Sequence, residues 1–182
     1  SMVMAEATNH YFKHLGVSDG LSQVCIPSIY QDELGAVWLG TTEGLNRYNG
    51  KDVKVFQPSE SNHGLTNNEI NELCGDKNGR MYIRSGNDLI KLDIYTEQFT
   101  CLRQKGVYGL FCKKDTLWVS CADGIYYYTG QGTELTFFAR VQKGFVGRAL
   151  YVDKETVWVV TRKYLVAISR EDPLRQEILL TL

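Results

Sequence analysis

The sequence lacks several features that would point to familiar protein classes. Proline is scarce, with 3 residues in 182, and 20 basic residues are balanced by 21 acidic ones. No basic cluster or low-complexity tract occurs, so nothing favours nucleic acid or an anionic membrane as a partner. No apolar run approaches the roughly 18 residues of a membrane helix. No segment sustains a helical period, which argues against a helical domain.

Catalytic and metal-binding motifs are also missing. The sequence has no Gly-x-Ser-x-Gly elbow, no phosphate loop, no His-Glu-x-x-His and no metal-spaced set of cysteine and histidine. The three histidines, His10, His14 and His63, fit solvated loops or strands better than metal sites. We therefore expect no cofactor, no metal and no catalytic residue in this chain.

The five cysteines do not form a disulfide framework, because their number is odd and their spacing irregular. A hairpin centred on Lys114-Asp115 would place Cys112 opposite Leu117. Cys121 would then lie roughly 13 Å from Cys112, too far for a bridge. We interpret the cysteines as buried free thiols that pack as small hydrophobic groups.

What the sequence does contain is a repeat. Each copy has an alternating apolar run, a tight turn, a strand with an aromatic residue, a polar bend and another apolar run. The aromatic anchors are Trp38, Tyr82, Trp118 and Trp158, which are 44, 36 and 40 residues apart. Short strands repeated about every 40 residues are typical of β-propeller blades. Because all four copies carry an anchor, we interpret it as a packing residue between neighbouring sheets.

The tight turns support this interpretation. Asp32-Glu-Leu-Gly35 and Asp76-Lys-Asn-Gly79 occupy equivalent positions. The aspartate can cap such a turn, and glycine can adopt positive φ without steric cost. Their recurrence favours a structural role for Asp32 and Asp76 over a catalytic one.

The pattern predicts four strands per repeat. First strands are predicted at Ile26–Tyr30, Ile70–Cys74, Val107–Cys112 and Ala149–Val152. Second strands, which carry the anchors, are predicted at Val37–Gly40, Met81–Arg84, Leu117–Ser120 and Val157–Val160. Third strands are predicted at Leu45–Tyr48, Leu89–Leu92, Ile125–Tyr128 and Leu165–Ile168. Fourth strands are predicted at Val53–Phe56, Gln98–Leu102, Leu135–Phe138 and Ile178–Leu182.

The predicted fold is all-β: a partial β-propeller of about four four-stranded antiparallel blades. The propeller would span residues 11–182, with blades near 23–58, 66–103, 106–139 and 145–182. Residues 1–10 are interpreted as a tag scar and disordered N-terminus, because Ser1-Met2 resembles a cloning remnant. Four blades cannot close a ring, so the end sheets would expose apolar faces. We expect a homo-oligomer through these ends and an unpaired N-terminal strand at Tyr11–Leu15.

Two stretches carry a more specific pattern. Gly35-Ala-Val-Trp-Leu-Gly-Thr-Thr-Glu-Gly-Leu-Asn-Arg-Tyr-Asn-Gly50 and Leu65-Thr-Asn-Asn-Glu-Ile70 closely resemble the two-component regulator propeller repeat. The resemblance is strong over residues 11–94, and the third and fourth repeats are assigned mainly by periodicity.

This resemblance implies a function as well as a fold. It implies the first blades of a seven-bladed propeller in the periplasmic sensor region of a Bacteroides-type hybrid two-component system. Such sensors recognise oligosaccharides from polysaccharide breakdown. They relay the signal to a histidine kinase, which is not in this chain, through a downstream membrane helix. The membrane would be contacted only through that helix.

Ligand binding would require polar groups on a rigid surface of the propeller. The loops between fourth and first strands, and between second and third strands, open on one face. The candidate oligosaccharide-binding residues there are Asn67, Asn68, Glu43, Arg84, Asn87, Arg148 and Arg162. Each is also an ordinary loop or strand-end residue. Two alternatives remain open: a propeller enzyme such as a lyase or glycosidase, and a protein-interaction scaffold.

Overall fold

A computed structural model describes residues 13–59, 64–142 and 146–181, with only the backbone for 146–149. Apart from a turn of 3-10 helix at Val17–Asp19, its regular structure is β-strand. The first sheet contains β1 (Ser28–Gln31), β2 (Val37–Thr41), β3 (Gly44–Tyr48) and β4 (Val53–Phe56). The second contains β5 (Ile70–Gly75), β6 (Arg80–Ser85), β7 (Asp88–Asp93) and β8 (Gln98–Arg103). The third contains β9 (Val107–Lys113), β10 (Thr116–Cys121), β11 (Gly124–Tyr128) and β12 (Thr136–Ala139). The fourth contains β13 (Val146–Val152), β14 (Thr156–Thr161), β15 (Tyr164–Ser169) and β16 (Gln176–Thr181).

Each sheet is an antiparallel meander in which strands pair in chain order. This is the predicted fold class, with four four-stranded antiparallel blades. We call the sheets blades 1 to 4 in chain order. The innermost strands β1, β5, β9 and β13 lie next to one another in succession. The blades are therefore arranged side by side around an arc, as in a propeller.

The strand boundaries differ from the prediction in a few places. β1 begins at Ser28 rather than Ile26, because Pro27 has no N–H to donate to the sheet. β16 begins at Gln176, two residues before the predicted start. The predicted N-terminal strand is wrong over residues 13–15, which are not in a strand, and its first two residues lie outside the described residues. Residues 1–10 also lie outside them.

The aspartate-glycine turns form as predicted. The Asp32 carboxylate Oδ1 accepts hydrogen bonds from the backbone N–H groups of Leu34 and Ala36, at 3.0 and 2.9 Å. Gly35 has φ of 86° and Gly79 of 85°. This left-handed conformation favours glycine, so both turns need it there.

Three hydrophobic clusters fill the three spaces between blades. The cluster between blades 1 and 2 contains Trp38, the cluster between blades 2 and 3 contains Tyr82, and the cluster between blades 3 and 4 contains Trp118. In each case the anchor of one blade packs against residues of the next blade. The packing role predicted for these rings is therefore observed in blades 1 to 3.

Trp158 differs from the other anchors because no described residue forms a sheet beyond blade 4. Its indole is partly exposed, whereas Trp38 and Tyr82 have no exposed surface. Its neighbours Val157 and Val159 point the other way, into the cluster shared with blade 3. Trp158 therefore lies on the outer face of blade 4, together with Leu180, which is 53% exposed.

Blade 1 does not leave its outer face as open as predicted. Leu21, which precedes the first strand, is 3% exposed. The neighbouring Ser22 hydroxyl is 2.9 Å from the Thr41 hydroxyl and accepts a 2.7 Å hydrogen bond from the Asn46 amide. The segment before β1 is thus fastened onto blade 1 by polar contacts and covers part of its sheet.

The cysteines are free thiols, in agreement with the prediction. Cys112 pairs with Leu117 across the β9–β10 hairpin, as expected, and Cys121 pairs with Val107 at the far end. The prediction of burial is confirmed for Cys121 and wrong for Cys25, which is exposed because it precedes the sheet. Cys74, Cys101 and Cys112 are partly exposed.

The position of each anchor predicts its contribution to stability. Trp38→Ala should lower the free energy of unfolding by about 3–5 kcal/mol, because it leaves a cavity between two blades. Trp158→Ala should cost about 1–2 kcal/mol, because its ring is only partly removed from water. Urea unfolding followed by far-UV circular dichroism measures both. Equal losses for the two variants would contradict this assignment of faces.

Candidate functional site

The structure has two candidate binding surfaces, and the first is the rim predicted from the sequence. We define the rim as the bends between second and third strands together with the loops that enter each innermost strand. Backbone hydrogen bonds join these segments: Gly86 N–H donates to Glu69 O at 2.7 Å, and Val107 N–H donates to Asn87 O at 3.0 Å. The rim segments therefore lie at one edge of the sheets, as predicted.

Two predicted rim residues are tied into the fold. Arg84 is buried, and its guanidinium donates to the Glu72 carboxylate at 3.3 Å and to Gly86 O at 3.1 Å. The Asn67 side-chain oxygen accepts from Glu69 N–H at 2.9 Å, and Asn67 O accepts from the Ser85 hydroxyl at 2.8 Å. Both residues thus shape the entry to β5.

The remaining rim candidates are exposed and spread over the arc. Glu43 is on blade 1, Asn68 and Asn87 are on blade 2, and Arg162 is on blade 4. The side chain of Arg148 lies outside the described residues. Because these exposed candidates lie on three different blades, their role in binding stays a prediction.

Hydrogen bonds hold the carboxyl groups of Asp123 and Asp153 in their charged form. Burial alone would raise the pKa of Asp123, but hydrogen bonds from Arg103 and Tyr126, at 2.7 and 2.8 Å, lower it overall. A hydrogen bond from the Trp158 indole lowers the pKa of Asp153. Both carboxylates are therefore anions at neutral pH and are not proton donors there.

The second surface is a groove between blades 3 and 4 that the sequence did not reveal. It has a volume of about 660 Å³. Its lining residues are Thr116, Trp118, Tyr127, Thr129, Phe137, Phe138, Lys154, Arg170, Glu171 and Pro173. Because it is lined by the β13–β14 turn and the β15–β16 loop, it opens at the edge opposite the rim. We call it the aromatic groove.

Ring contacts set the shape of the aromatic groove. Trp118 meets Phe138 edge to face with centroids 5.0 Å apart, and Tyr127 at 5.6 Å. Trp118 is nearly buried, while Tyr127 and Phe138 are partly exposed. The Phe137 ring lies on the opposite face of blade 3, where it meets Tyr126 at 5.4 Å. The result is a wall of fixed aromatic rings with faces available to a ligand.

Charged groups border the rings. The Arg170 guanidinium lies 5.5 Å from the Trp118 ring and donates to the backbone oxygens of Asp153 and Lys154, at 3.0 and 2.9 Å. The exposed side chains of Lys154 and Glu171 add one charge of each sign. The groove thus combines apolar faces with donors and an acceptor, which is typical of small-molecule sites.

Sequence reasoning missed the aromatic groove because it treated aromatic residues only as core anchors. The available signal was the pair Phe137-Phe138 at the end of a predicted edge strand, followed across the blade boundary by Arg170-Glu171. That these segments meet depends on how blade 4 packs on blade 3.

Within residues 13–59, 64–142 and 146–181, no group of three or more histidine, cysteine, aspartate or glutamate residues is placed to hold a metal ion. None of the helical structure described there is long and apolar enough to cross a membrane.

Comparison with known proteins agrees with the fold. The profile of the family described as "Two component regulator propeller" matches residues 20–43. Histidine kinase P4 of Formosa agariphila is 40% identical over 53 residues, which cover 29% of this chain and 4% of that protein. The chain therefore spans a small part of this curated relative.

Solved structures share the architecture over most of the chain. One is described as the extracellular domain of a hybrid two component system from B. thetaiotaomicron, with a TM-score of 0.75 and 21% identity. The match covers 92% of this chain and 26% of that one. A second extracellular domain from B. thetaiotaomicron, of a one component system, has a TM-score of 0.71 and 19% identity. That match covers 93% of this chain and 27% of the other.

The fold and these matches define a class: a β-propeller domain that resembles an extracellular domain of a hybrid two-component system. Within that class, residues 20–43 match a two-component regulator propeller repeat. The resemblance seen in the sequence is thereby confirmed.

The contacts at the rim predict different roles for two arginines. Arg84→Ala should lower the free energy of unfolding by about 1–3 kcal/mol, because it removes a buried side chain that donates hydrogen bonds to the Glu72 carboxylate and to Gly86 O. The matched variant Arg162→Ala changes an exposed rim residue and should stay within about 0.5 kcal/mol of the parent. Urea titration of both variants measures this. A similar loss of unfolding free energy in both variants would contradict the structural role assigned to buried Arg84.

Proposed function

We propose that this chain is part of a periplasmic sensor domain that recognises a glycan-derived oligosaccharide and relays binding to a histidine kinase outside the chain. The observation that carries the proposal is the aromatic groove between blades 3 and 4. In this proposal the chain acts by binding rather than by catalysis.

The composition of the groove suits a sugar. Sugar rings have apolar C–H faces that pack on aromatic rings, and hydroxyl groups that need hydrogen-bonding partners. Tyr127 and Phe138 supply the rings, while Lys154 and Glu171 supply a donor and an acceptor at the border. A volume of about 660 Å³ is in the range of small-ligand sites.

The groove is also placed to report binding. It is formed by two blades, so a ligand that contacts both would favour one relative position of the blades over others. A difference in affinity between two positions is what would carry a signal along the propeller. Relay to a kinase is proposed on this basis and on the match to a histidine kinase.

Periplasmic location is proposed from the described setting of the structural relatives, which are extracellular domains. An oligosaccharide sensor in that compartment would meet its ligand before uptake. Anchoring in the inner membrane would be supplied by a segment of the parent protein outside this chain.

The rim candidates form an alternative binding surface in this proposal. Asn68, Asn87, Glu43 and Arg162 are exposed polar groups on loops, and such groups can bind sugar hydroxyls. The rim and the aromatic groove lie at opposite edges of the blades. Variants on each edge therefore separate the two surfaces.

A thermal-shift screen with purified neutral and uronate-containing oligosaccharides tests sugar recognition. A ligand that binds only the folded chain raises Tm by mass action. For a sugar that does so, the double variant Phe138→Ala with Lys154→Ala should bind at least about tenfold more weakly by calorimetry, a loss of about 1.4 kcal/mol.

Tyr151→Ala is the matched control for the groove variant. Tyr151 is 55% exposed and contacts Phe111 with ring centroids 5.0 Å apart, the same separation as that between Phe138 and Trp118. This control should keep the parent affinity. Weakened binding in Asn68→Ala with Arg162→Ala, but not in the groove variant, would move the site to the rim. No stabilisation by any sugar of the panel would count against sugar recognition by this chain.

We also propose that the isolated chain self-associates through the outer face of blade 4. The other anchors are covered by the next blade, whereas Trp158 and Leu180 remain partly exposed. A second copy would remove this apolar surface from water, which favours association.

Sedimentation velocity over a micromolar concentration series tests self-association. The parent chain should form dimers or larger species, and Leu180→Lys should shift it to a 20.7 kDa monomer, because the charge would be buried in the contact. Leu34→Lys changes a leucine that is 57% exposed on blade 1 and should leave association unchanged. A parent chain that is monomeric throughout the series would contradict the proposal.

A further inference from the structure

Two cysteines from neighbouring blades face each other between blades 2 and 3. Cys74 pairs across β5 and β6 with Tyr82, whose ring lies in the cluster between these blades. Cys112 pairs across β9 and β10 with Leu117, which belongs to the same cluster. Side chains directly opposite on paired strands share a face of the sheet. Cys74 therefore points from blade 2 toward blade 3, and Cys112 points back.

The repeat itself places these two positions in contact. The positions in blades 1 and 2 that correspond to Cys74 and Cys112 are Tyr30, opposite Trp38, and Gly75, opposite Met81. A β-carbon added at Gly75 would collide with the Tyr30 hydroxyl, so these two positions also touch across their blade interface. Between blades 2 and 3 the same pair of positions is filled by two thiols, and their Sγ atoms are 2.7 Å apart.

We propose that Cys74 and Cys112 form a disulfide that joins blades 2 and 3 when the chain meets a disulfide oxidant. The 2.7 Å between the two Sγ atoms is only slightly longer than the disulfide bond length of about 2.05 Å, so a small shift would suffice to form the bond. The proposal depends only on this geometry and not on sugar recognition.

The reaction is a thiol–disulfide exchange in two steps. The thiolate of one cysteine attacks a sulfur of a small disulfide, forms a mixed disulfide and releases one small thiolate. The second cysteine loses its proton and attacks the protein sulfur of the mixed disulfide, which releases the second small thiolate. The two protein thiols lose two protons and two electrons, and the oxidant is reduced to two thiols.

Burial raises the pKa of the Cys74 thiol well above its ordinary value. Less of it is ionised at neutral pH, and the thiolate is the attacking species. Oxidation should therefore be slow at neutral pH and faster as pH rises. Burial also raises the pKa of the Cys121 thiol, to about 12, and the strand partner of Cys121 is Val107.

The bond would stabilise the fold because it restricts the unfolded chain. It closes a loop between two adjacent blades, and such closure mainly removes entropy from the unfolded state. For a chain of this length the oxidised form should melt about 5–10 °C above the reduced form.

Redox equilibration of the 182-residue chain, followed by mass spectrometry, tests the proposal. Cys25→Ser serves as the background, because Cys25 is exposed and would link two copies. After incubation with oxidised glutathione, alkylation in denaturant should modify only two of the four remaining cysteines, because the other two are joined in the disulfide. Digestion without reductant should release a peptide pair joined through Cys74 and Cys112.

Two further variants keep the test decisive. In the same background, Cys101→Ser should retain the linked peptides and the higher Tm of the oxidised form. Cys112→Ser should lose the linked peptides and the higher Tm. The linked peptides of the Cys25→Ser background test the proposal even if the Cys112→Ser variant does not fold. Four free thiols after equilibration at pH 8.5, or a link that involves Cys101 or Cys121, would overturn the proposal.

Discussion

The structure depends on the packing of each aromatic anchor against the next blade. A four-stranded sheet has two faces, and neither is covered by its own strands, so blades are stable only when stacked. The space between each blade and the next blade in the chain is filled by an anchor: Trp38, Tyr82 or Trp118. The direction of this packing also explains Trp158, whose ring is left on the outer face of blade 4.

In blades 1, 2 and 4 a hydrogen bond connects the anchor strand to the turn before it. The Trp38 indole donates to Asp32 at 2.8 Å, and the Trp158 indole donates to Asp153 at 2.7 Å. The same aspartates cap their turns, so one carboxylate holds both the turn and the ring. In blade 2 the anchor is Tyr82, which has no indole, and the Arg80 guanidinium takes the place of that donor to Asp76.

Blade 3 departs from this arrangement, and the aromatic groove lies beside it. The position equivalent to the turn aspartate is Lys113, and the turn is shortened to Lys114-Asp115. Trp118 is contacted instead by Arg170 of blade 4. The proposed binding surface thus occurs where the repeat loses its standard turn, which is consistent with function concentrating at irregular parts of a regular scaffold.

The sequence by itself determined the repeat, the strand order within each blade and the turns, because these depend on neighbours a few residues apart. Alternation, Asp–Gly turns and the anchors were sufficient to predict four antiparallel blades, and Cys112 was correctly placed opposite Leu117. Only the tertiary structure decided which surfaces meet. The burial of Arg84, the aromatic groove and the contact between Cys74 and Cys112 all depend on how one sheet packs on another, and no local pattern specifies that packing.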